Sequence, residues 1–427
     1  MVYTKDYNID NTGKILVTTE VQKLIDNNDT VIINNGIYLV SPLFLHNNSK
    51  LIFENATLIA TTSEEYYHDI KTRIAGIEMN WYPAIINVID SDGVEISGSG
   101  VINGAGDYWY KKYWGDDTHG GMREEYDKKG IRFLCDYDCK RPRNILVQNS
   151  SNVKIFGITS KDSGFWNIHI LYSNKVTIDD IKIESDNPNS PSTDGIDIDS
   201  SHNVKIFNST FSTNDDSIAI KSGRDYDGIR VGIPSYDIDI SSCKILKGFG
   251  ITLGSELSAG IHDINISNID FIDTDCAFRI KSSRRRSGYI NNIHVNRLTC
   301  LNVKYIFNIN LNWNPLYNKI EIPKNLNIKR DFLDSLLHDI DSNPTTVDNI
   351  YINDVYSRYS DSYNDINRIF HIEGYENKPI NNIYLSNLDI NAIEYGYIRY
   401  IDNLDIKDSK ISYKIDVDCK NNDYDNR

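Results

Sequence analysis

The chain has 427 residues, with 45 Lys and Arg against 60 Asp and Glu, so its formal net charge is −15. This balance lacks the basic footprint that nucleic-acid binding requires, and no apolar run approaches the roughly 18 residues of a membrane span. The first residues lack the apolar core of a secretory signal. We therefore expect no nucleic-acid or membrane partner and a cytoplasmic location, or a secreted or periplasmic one if the sequence has been trimmed. The oligomeric state stays open.

The first predicted element is a short amphipathic helix over residues 18–26. Repeated short strands follow it along most of the chain. Such a repeat array buries its apolar side chains only by stacking on neighbouring repeats, and its ends need a cap. We expect the helix to cover the open end of the array.

The repeat unit contains Asn or Asp followed by two β-branched residues at alternate positions. From Val153 onward, successive copies are separated by 23, 28, 34, 26 and 29 residues. Alternation of this kind predicts strands, and Asn, Asp, Ser and Gly between them predict turns. A second set of strands lies between these copies, beginning at Ile168, Ile196, Ile218, Ile251, Phe278 and Phe307.

Irregular repeats with two or three strands and no helix favour an all-β fold, a right-handed parallel β-helix. A propeller blade needs about 40–50 residues and four strands, and a sandwich does not explain the repeat. Two segments break the pattern, at about 105–140 and 312–346, and residues 328–340 within the second have helical spacing. We interpret both as insertions in a single domain spanning 1–427, where they wall a cleft.

Three acidic residues open strands of the second set. Asp194 precedes Asp215 by 21 residues, about one turn of the proposed helix, and Asp216 follows directly. Equivalent positions on successive turns lie about 4.8 Å apart, so the three carboxylates are expected to share one patch of the outer face. Such clustering costs Coulomb repulsion, and it suits glycoside cleavage, in which one carboxyl stays protonated and another activates water. The alternative is that these are ordinary Asp-rich turns.

Basic residues follow in the same register. Arg279 and Lys281 are two positions apart in a predicted strand, so both side chains lie on one face. Two cations beside three carboxylates suit an anionic sugar, although a salt-bridged surface ladder is the simpler alternative. The run 284–286 (RRR) either extends this patch or forms a solvated turn.

Several short motifs stand in a characteristic order along the chain. They are 36–43 (GIYLVSPL), 98–104 (GSGVING), 141–143 (RPR), 165–169 (FWNIH), 193–195 (TDG), 215–216 (DD) and 279–281 (RIK). Taken together, these motifs resemble glycoside hydrolase family 28, the polygalacturonase family. The order and approximate spacing agree from about residue 13 to 300, and within the family's NTDG motif Ser192 replaces Asn.

The resemblance implies an inverting hydrolase of α-linked galacturonic acid in pectic substrates, with no metal or cofactor. Asp215 carries over as the general acid, and Asp194 and Asp216 as the carboxylates that activate water. Arg279 and Lys281 carry over as binders of the substrate carboxylate. From the residues themselves, inversion requires roughly 6.5–9.5 Å between the carboxyl groups, which adjacent rungs with a lateral offset can supply.

Two further residues are candidate substrate contacts. His169 ends the FWNIH segment, and Phe249 stands where the family has the histidine of a Gly-His-Gly motif. The loss of that histidine indicates altered substrate geometry, since all three aspartates remain. The segments 72–78 and 136–143 resemble a bacterial branch that trims complex pectin, which favours exo-acting release of galacturonic acid.

Other activities stay open at this stage. They are a rhamnogalacturonan hydrolase, a neutral-sugar hydrolase such as a rhamnosidase, a pectate lyase with a Ca²⁺ site, and a non-catalytic carbohydrate-binding or adhesin β-helix. A lyase depends on its Ca²⁺, so a chelator distinguishes it from a hydrolase.

Overall fold

Most strands of this protein pair in parallel from one rung to the next, as the computed structural model describes them for residues 1–338, 340 and 343–416. Three ladders run along the chain, here called sheets 1, 2 and 3. Parallel strands joined by crossover connections are almost always right-handed. The predicted parallel β-helix is confirmed.

Sheet 1 is built from the predicted second set of strands and carries the candidate site. Its strands are Leu43–Leu45, Ile86–Ile89, Ile145–Gln148, Ile168–Leu171, Ile196–Asp199, Ile218–Lys221, Ile251–Leu253, Cys276–Lys281, Tyr305–Asn310, Arg368–Glu373 and the end of Ile383–Arg399.

Sheets 2 and 3 close the other faces, and the longer strands bend from sheet 2 into sheet 3. Sheet 2 contains Val2–Tyr3, Thr30–Val40, Lys50–Ala60, Glu95–Gly98, Ser151–Phe156, Asn174–Asp179, His202–Phe207, Ser235–Lys247, Ile261–Ile272, Tyr289–Leu301, Thr346–Arg358, Ile383–Arg399 and Leu404–Lys407. Sheet 3 adds Thr12–Leu16, Val101–Asn103, Thr159–Lys161, Lys182–Glu184, Thr210–Ser212 and Lys410–Ile415.

The core of the β-helix is a set of stacked isoleucine columns. In sheet 1, Ile168 pairs with Ile196, which pairs with Ile218, and all three side chains are fully buried. Burial of each such side chain contributes about 1.5–3 kcal/mol, so the alternating pattern fixes which face of every strand turns inward. Asn and Asp at positive φ, such as Asn203 and Asp237, make the corners.

Seven α-helices decorate the strands of the described chain. They are α1 (Thr18–Asn27), α2 (Gly106–Trp114), α3 (Met122–Lys128), α4 (Arg132–Asp138), α5 (Asp225–Val231), α6 (Pro315–Asn318) and α7 (Leu333–Leu337). Helix α1 confirms the prediction for residues 18–26, and Val21, Leu24 and Ile25 pack it onto the core. No helix of the described residues is long and apolar enough to cross a membrane.

The two predicted insertions contain most of these helices. Segment 105–140 folds into α2, α3 and α4, together with the small hairpin Gly115–Asp116/His119–Gly120. Segment 312–346 contributes α6 and α7, although residues 339, 341 and 342 lie outside the described part. Both pack with the antiparallel hairpin Ile70–Ile74/Ile77–Trp81 around a second apolar cluster that includes Tyr137, Trp166 and Phe332. The division into one domain with these insertions stays a prediction.

Candidate active site

The ladder register decides how the three predicted aspartates meet. Ile196 pairs with Ile218, and the Gly195 amide donates to the Asp216 carbonyl, so Asp194 lies directly below Asp216 rather than Asp215. The rung is thus 22 residues long, one more than the spacing between Asp194 and Asp215. Asp215 precedes this position by one residue, which gives its side chain a different direction from that of Asp216.

The structure brings all three carboxylates together. One oxygen from each of Asp194, Asp215 and Asp216 lies within 4.8 Å of the others. Asp194 and Asp216 are buried, whereas Asp215 is only partly buried. Asp215 is therefore the carboxyl that a ligand in the cleft reaches first.

Asp216 is held by cations and a hydroxyl. Lys281 Nζ lies 2.6 Å from Asp216 Oδ2, Thr252 Oγ1 donates to Oδ1 at 2.7 Å, and Arg279 Nη1 lies 3.7 Å from Oδ1. Burial acts to raise the pKa of Asp216, but the charges of Lys281 and Arg279 outweigh it and lower that pKa below its usual value. Asp216 is the ionised member of the cluster.

The pKa values of the other two carboxyls, Asp215 and Asp194, are raised. Burial and then the negative charge of Asp216 raise the pKa of Asp215. Burial, followed by the charges of Asp215 and Asp197, raises the pKa of Asp194 well above its usual value. Neighbouring carboxyls with pKa values pushed apart are the arrangement that lets one donate a proton while another accepts one.

Arg279 and Lys281 lie on one face, as predicted, but in different surroundings. The Lys281 ammonium is committed to Asp216 at 2.6 Å. The Arg279 guanidinium lies outside hydrogen-bond distance of Asp216 and stacks between two rings, 5.0 Å from the Phe249 centroid and 5.8 Å from that of Trp313. Arg279 is therefore the better placed of the two to face a ligand.

Phe249 lies one rung above Asp216, because Ile251 pairs with Ile218. Its ring is partly exposed, and it packs on Arg279 rather than offering a hydrogen bond to a sugar. The position predicted as a substrate contact thus lies beside the cluster, with an apolar surface.

The structure does not support His169 as a substrate contact. Its side chain is completely buried, with Nδ1 2.7 Å from Arg143 Nη1 and Nε2 3.6 Å from Asp199 Oδ2. Burial lowers the pKa of His169 to about 4. The residue lies three rungs below Thr252 in the outward column of sheet 1, but Trp166 and the insertions cover that part of the face.

Sequence reasoning missed a second layer of charge beneath the cluster. Lys221 Nζ lies 3.2 Å from Glu256 Oε2, 3.4 Å from Asp197 Oδ1 and 3.9 Å from Asp194 Oδ2, and all four side chains are buried. A signal was present, because Lys221 lies two positions after Ala219 and therefore shares the outward face of its strand.

The outward face of sheet 1 changes from covered to open at the cluster. Five successive outward residues are buried, namely Leu146, His169, Asp197, Ala219 and Thr252. The next four are partly exposed, namely Arg279, Asn308, His371 and Tyr397. The face is therefore closed on the side of the N-terminal rungs and open on the side of the C-terminal rungs.

A separate cavity of about 910 Å³ lies between the hairpin 70–81 and the insertions. Tyr126, Tyr172, Lys329 and Phe332 are among its lining residues, and none of the three clustered aspartates is. The carboxylate cluster therefore lies on the open face of sheet 1 and not in this cavity.

Three close carboxylates also suit a small cation, and this set has that geometry among the described residues. However, Lys221, Arg279 and Lys281 already oppose its negative charge at 2.6–3.9 Å. We therefore assign no metal or cofactor to the cluster.

Comparisons with known proteins agree with the fold and the motifs. The family model described as glycosyl hydrolases family 28 matches residues 69–353, about two-thirds of the chain. A probable polygalacturonase from Vitis vinifera is 31% identical over 229 residues, 53% of this chain and 43% of its own length. An exo-poly-alpha-D-galacturonosidase from Dickeya chrysanthemi is 24% identical, over 65% of this chain and 51% of that protein. The chain thus spans about half the length of these relatives.

Solved structures extend the agreement over nearly the whole chain. A hyperthermoactive exopolygalacturonase from Thermotoga maritima has a TM-score of 0.76 at 24% identity, covering 95% of this chain and 91% of its own. A family 28 exopolygalacturonase from Yersinia enterocolitica has a TM-score of 0.66 at 19% identity, covering 97% and 78%. These likenesses show the right-handed parallel β-helix.

The fold is therefore a right-handed parallel β-helix that carries clustered carboxylates on one open face. With the family model matched over residues 69–353, the chain belongs to glycosyl hydrolases family 28.

Proposed function

We propose that this protein hydrolyses α-linked galacturonic acid from the end of a pectic chain. The observation that carries the proposal is the group of three carboxylates beside Arg279, at the closed end of an otherwise open face. Relatives named polygalacturonase and exo-poly-alpha-D-galacturonosidase support the substrate class.

In the proposed reaction, Asp215 is the general acid. Its raised pKa keeps it protonated, and its partly exposed carboxyl reaches the glycosidic oxygen. A water molecule attacks the anomeric carbon, the bond from that carbon to the glycosidic oxygen breaks, and the Asp215 proton goes to the leaving oxygen.

Asp216 is the general base of the same step, since it is the ionised member of the cluster and takes the proton that the attacking water releases. Asp194, one rung below Asp216, orients this water by accepting its hydrogen bond, and the ionised form of Asp194 accepts it more strongly. Lys281 acts through Asp216, because its ammonium holds the carboxylate in place at 2.6 Å.

We propose inversion at the anomeric carbon from the family resemblance. The carboxyl separation does not support it independently. One oxygen from each of the three carboxyls lies within 4.8 Å of the others. This separation is shorter than the roughly 6.5–9.5 Å that the sequence-based expectation of inversion assumed. Two acceptors, Asp194 and Asp216, can hold one water between them at this shorter distance, so inversion is tested on the product rather than inferred from the spacing.

Exo-action follows from the covered rungs. On the side of the N-terminal rungs, the outward residues Asp197 and Thr252 are covered, so a sugar chain lying along sheet 1 is blocked there. On the side of the C-terminal rungs, Arg279 and Asn308 are partly exposed and leave the face open. One end residue then occupies the closed side, and the remaining chain extends over the open side toward the C-terminal rungs.

The test is product analysis on oligomers of homogalacturonan and rhamnogalacturonan, with and without chelator. We expect free galacturonic acid that forms in the presence of chelator. An unsaturated product that disappears with chelator would instead identify a lyase, and release of a neutral sugar would identify a neutral-sugar hydrolase.

A further inference from the structure

Lys221 is a buried cation that the proposed reaction does not yet use. It ends the strand Ile218–Lys221, and only 4% of the residue is exposed. Its Nζ faces three carboxylates, at 3.2 Å from Glu256 on one rung, and at 3.4 Å from Asp197 and 3.9 Å from Asp194 on another. A buried ammonium is costly unless it is paired, so these contacts explain why it stays charged there.

Glu256 is the fixed partner of this lysine. Its Oε2 accepts from Lys221 at 3.2 Å, and its Oε1 accepts from Ser255 Oγ at 2.9 Å. Burial acts to raise the pKa of Glu256, but the charges of Lys221, Arg286 and Arg224 lower it well below its usual value. Glu256 is therefore ionised and opposes part of the Lys221 charge.

The remaining sides of the ammonium face the cluster. Asp194 lies beside the carboxyls of Asp215, Asp197 and Asp216, which oppose its ionisation, and the charge of Lys221 favours it. Lys221 also faces Asp216 and lies 5.1 Å from the centre of the Trp166 ring, whose face favours a cation. Asp197 contributes two buried oxygens without hydrogen-bond partners. Burial raises the pKa of Asp197 well above its usual value, and the charge of Lys221 opposes that rise.

We propose that Lys221 is a positioning residue whose charge favours the ionised form of Asp194 against the neighbouring carboxyls, and that Glu256 limits how much of the lysine charge reaches it. The proposal rests on the proposed function, in which Asp194 must accept a hydrogen bond from the attacking water. Lys221 does not touch the reacting atoms, so its effect is exerted through Asp194.

The two members of the pair then have opposite effects on activity at low pH. An opposite charge within about 4–6 Å lowers the pKa of a carboxyl by about 1–3 units. Lys221→Met removes that charge, so the acidic limb of the pH profile of kcat/KM moves to higher pH by about 1–3 pH units. Glu256→Gln removes the negative charge that opposes Lys221, so the acidic limb of the pH profile moves to lower pH.

The experiment measures kcat and KM between pH 3 and 8 for Lys221→Met, Lys221→Arg and Glu256→Gln on an oligogalacturonide. Lys221→Arg keeps the charge and is expected to keep the profile. The matched control is Lys50→Met, which removes a lysine that pairs with Glu95 on sheet 2 at 3.8 Å, and we expect its profile to be unchanged. Opposite movement of the limb in Lys221→Met and Glu256→Gln supports the proposal. Lower activity with an unmoved limb, or movement in one direction for both, overturns it.

A second measurement does not depend on hydrolysis. The protein is labelled with ¹³C at the aspartate carboxyls, the Asp194 signal is identified by its loss in Asp194→Asn, and its titration is followed by NMR. A higher pKa for Asp194 in Lys221→Met, or a lower one in Glu256→Gln, supports the proposal even if no pectic oligomer is cleaved. An unchanged titration overturns it. If Lys221→Met does not fold, the direction of the change in Glu256→Gln decides.

Discussion

Replacing the two cations of the RIK segment tests how the site separates substrate binding from acid–base chemistry. Arg279 stacks between Phe249 and Trp313 and lies 3.7 Å from Asp216, so its guanidinium is available to a sugar carboxylate. Arg279→Gln removes one charge-assisted bond, which contributes about 1.5–3 kcal/mol, or roughly 10- to 150-fold in kcat/KM on a uronate substrate.

Lys281 is expected to behave differently. From the sequence, Lys281→Gln is the milder change, because an ammonium lacks the fork geometry of Arg. In the structure this ammonium lies 2.6 Å from Asp216, so its removal leaves a buried carboxylate without its closest cation. Such a loss costs about 3–5 kcal/mol, and it raises the pKa of Asp216. We therefore expect a larger fall in kcat than for Arg279→Gln, with an acidic limb at higher pH.

The assay compares both variants on an oligogalacturonide, on its methyl ester and on a neutral galactose analogue. Arg279→Gln should lose activity mainly on the charged substrate, and Arg279→Lys, which keeps the charge, should recover part of it. Lys281→Gln should lose activity equally on all three, because it acts through Asp216. Equal losses on charged and neutral substrates for Arg279→Gln would refute the role of Arg279 and move the neutral-sugar hydrolase to the front.

The remaining predictions concern the carboxylates and one buried histidine. Asp194→Asn, Asp215→Asn and Asp216→Asn should each lower turnover by at least about a hundredfold with unchanged circular dichroism, and near-normal turnover would remove that residue from the mechanism. NMR early in the reaction should detect the β-anomer from an α-linked substrate, whereas an initial α-anomer excludes inversion. His169 has a pKa of about 4 in the folded protein and about 6.5 when unfolded, so stability should fall by about 3 kcal/mol as the pH drops from 6.5 to 4. Denaturant unfolding at both pH values should find a smaller fall in His169→Gln, and an equal fall would contradict the role of this histidine.

The β-helix could be predicted because its signal repeats. Each rung presents isoleucines at alternate positions, as at Ile196 and Ile198, and stacking them is the main way to bury them. The exact register could not be predicted, because corner lengths vary from rung to rung. A difference of one residue places Asp194 under Asp216 instead of Asp215.

The site was predictable where it depends on strand alternation and not where it depends on packing between distant segments. Alternation placed Arg279 and Lys281 on one face. It also gave His169 an outward direction, but the burial of His169 depends on Trp166 and on insertions whose packing has no sequence period. Glu256 reaches Lys221 from a loop beyond the strand Ile251–Leu253, and no periodicity indicates that contact.

We expect a uronic acid to be released from one end of a pectic chain by hydrolysis at this cluster. The most direct measurement uses an oligogalacturonide labelled at its reducing end, incubated with the protein and with Asp215→Asn, and analysed at early times by chromatography. We predict free galacturonic acid and a labelled oligomer shorter by one residue from the first time points, and no reaction with Asp215→Asn. A mixture of internal fragments, an unsaturated product, or equal release by Asp215→Asn would contradict the account.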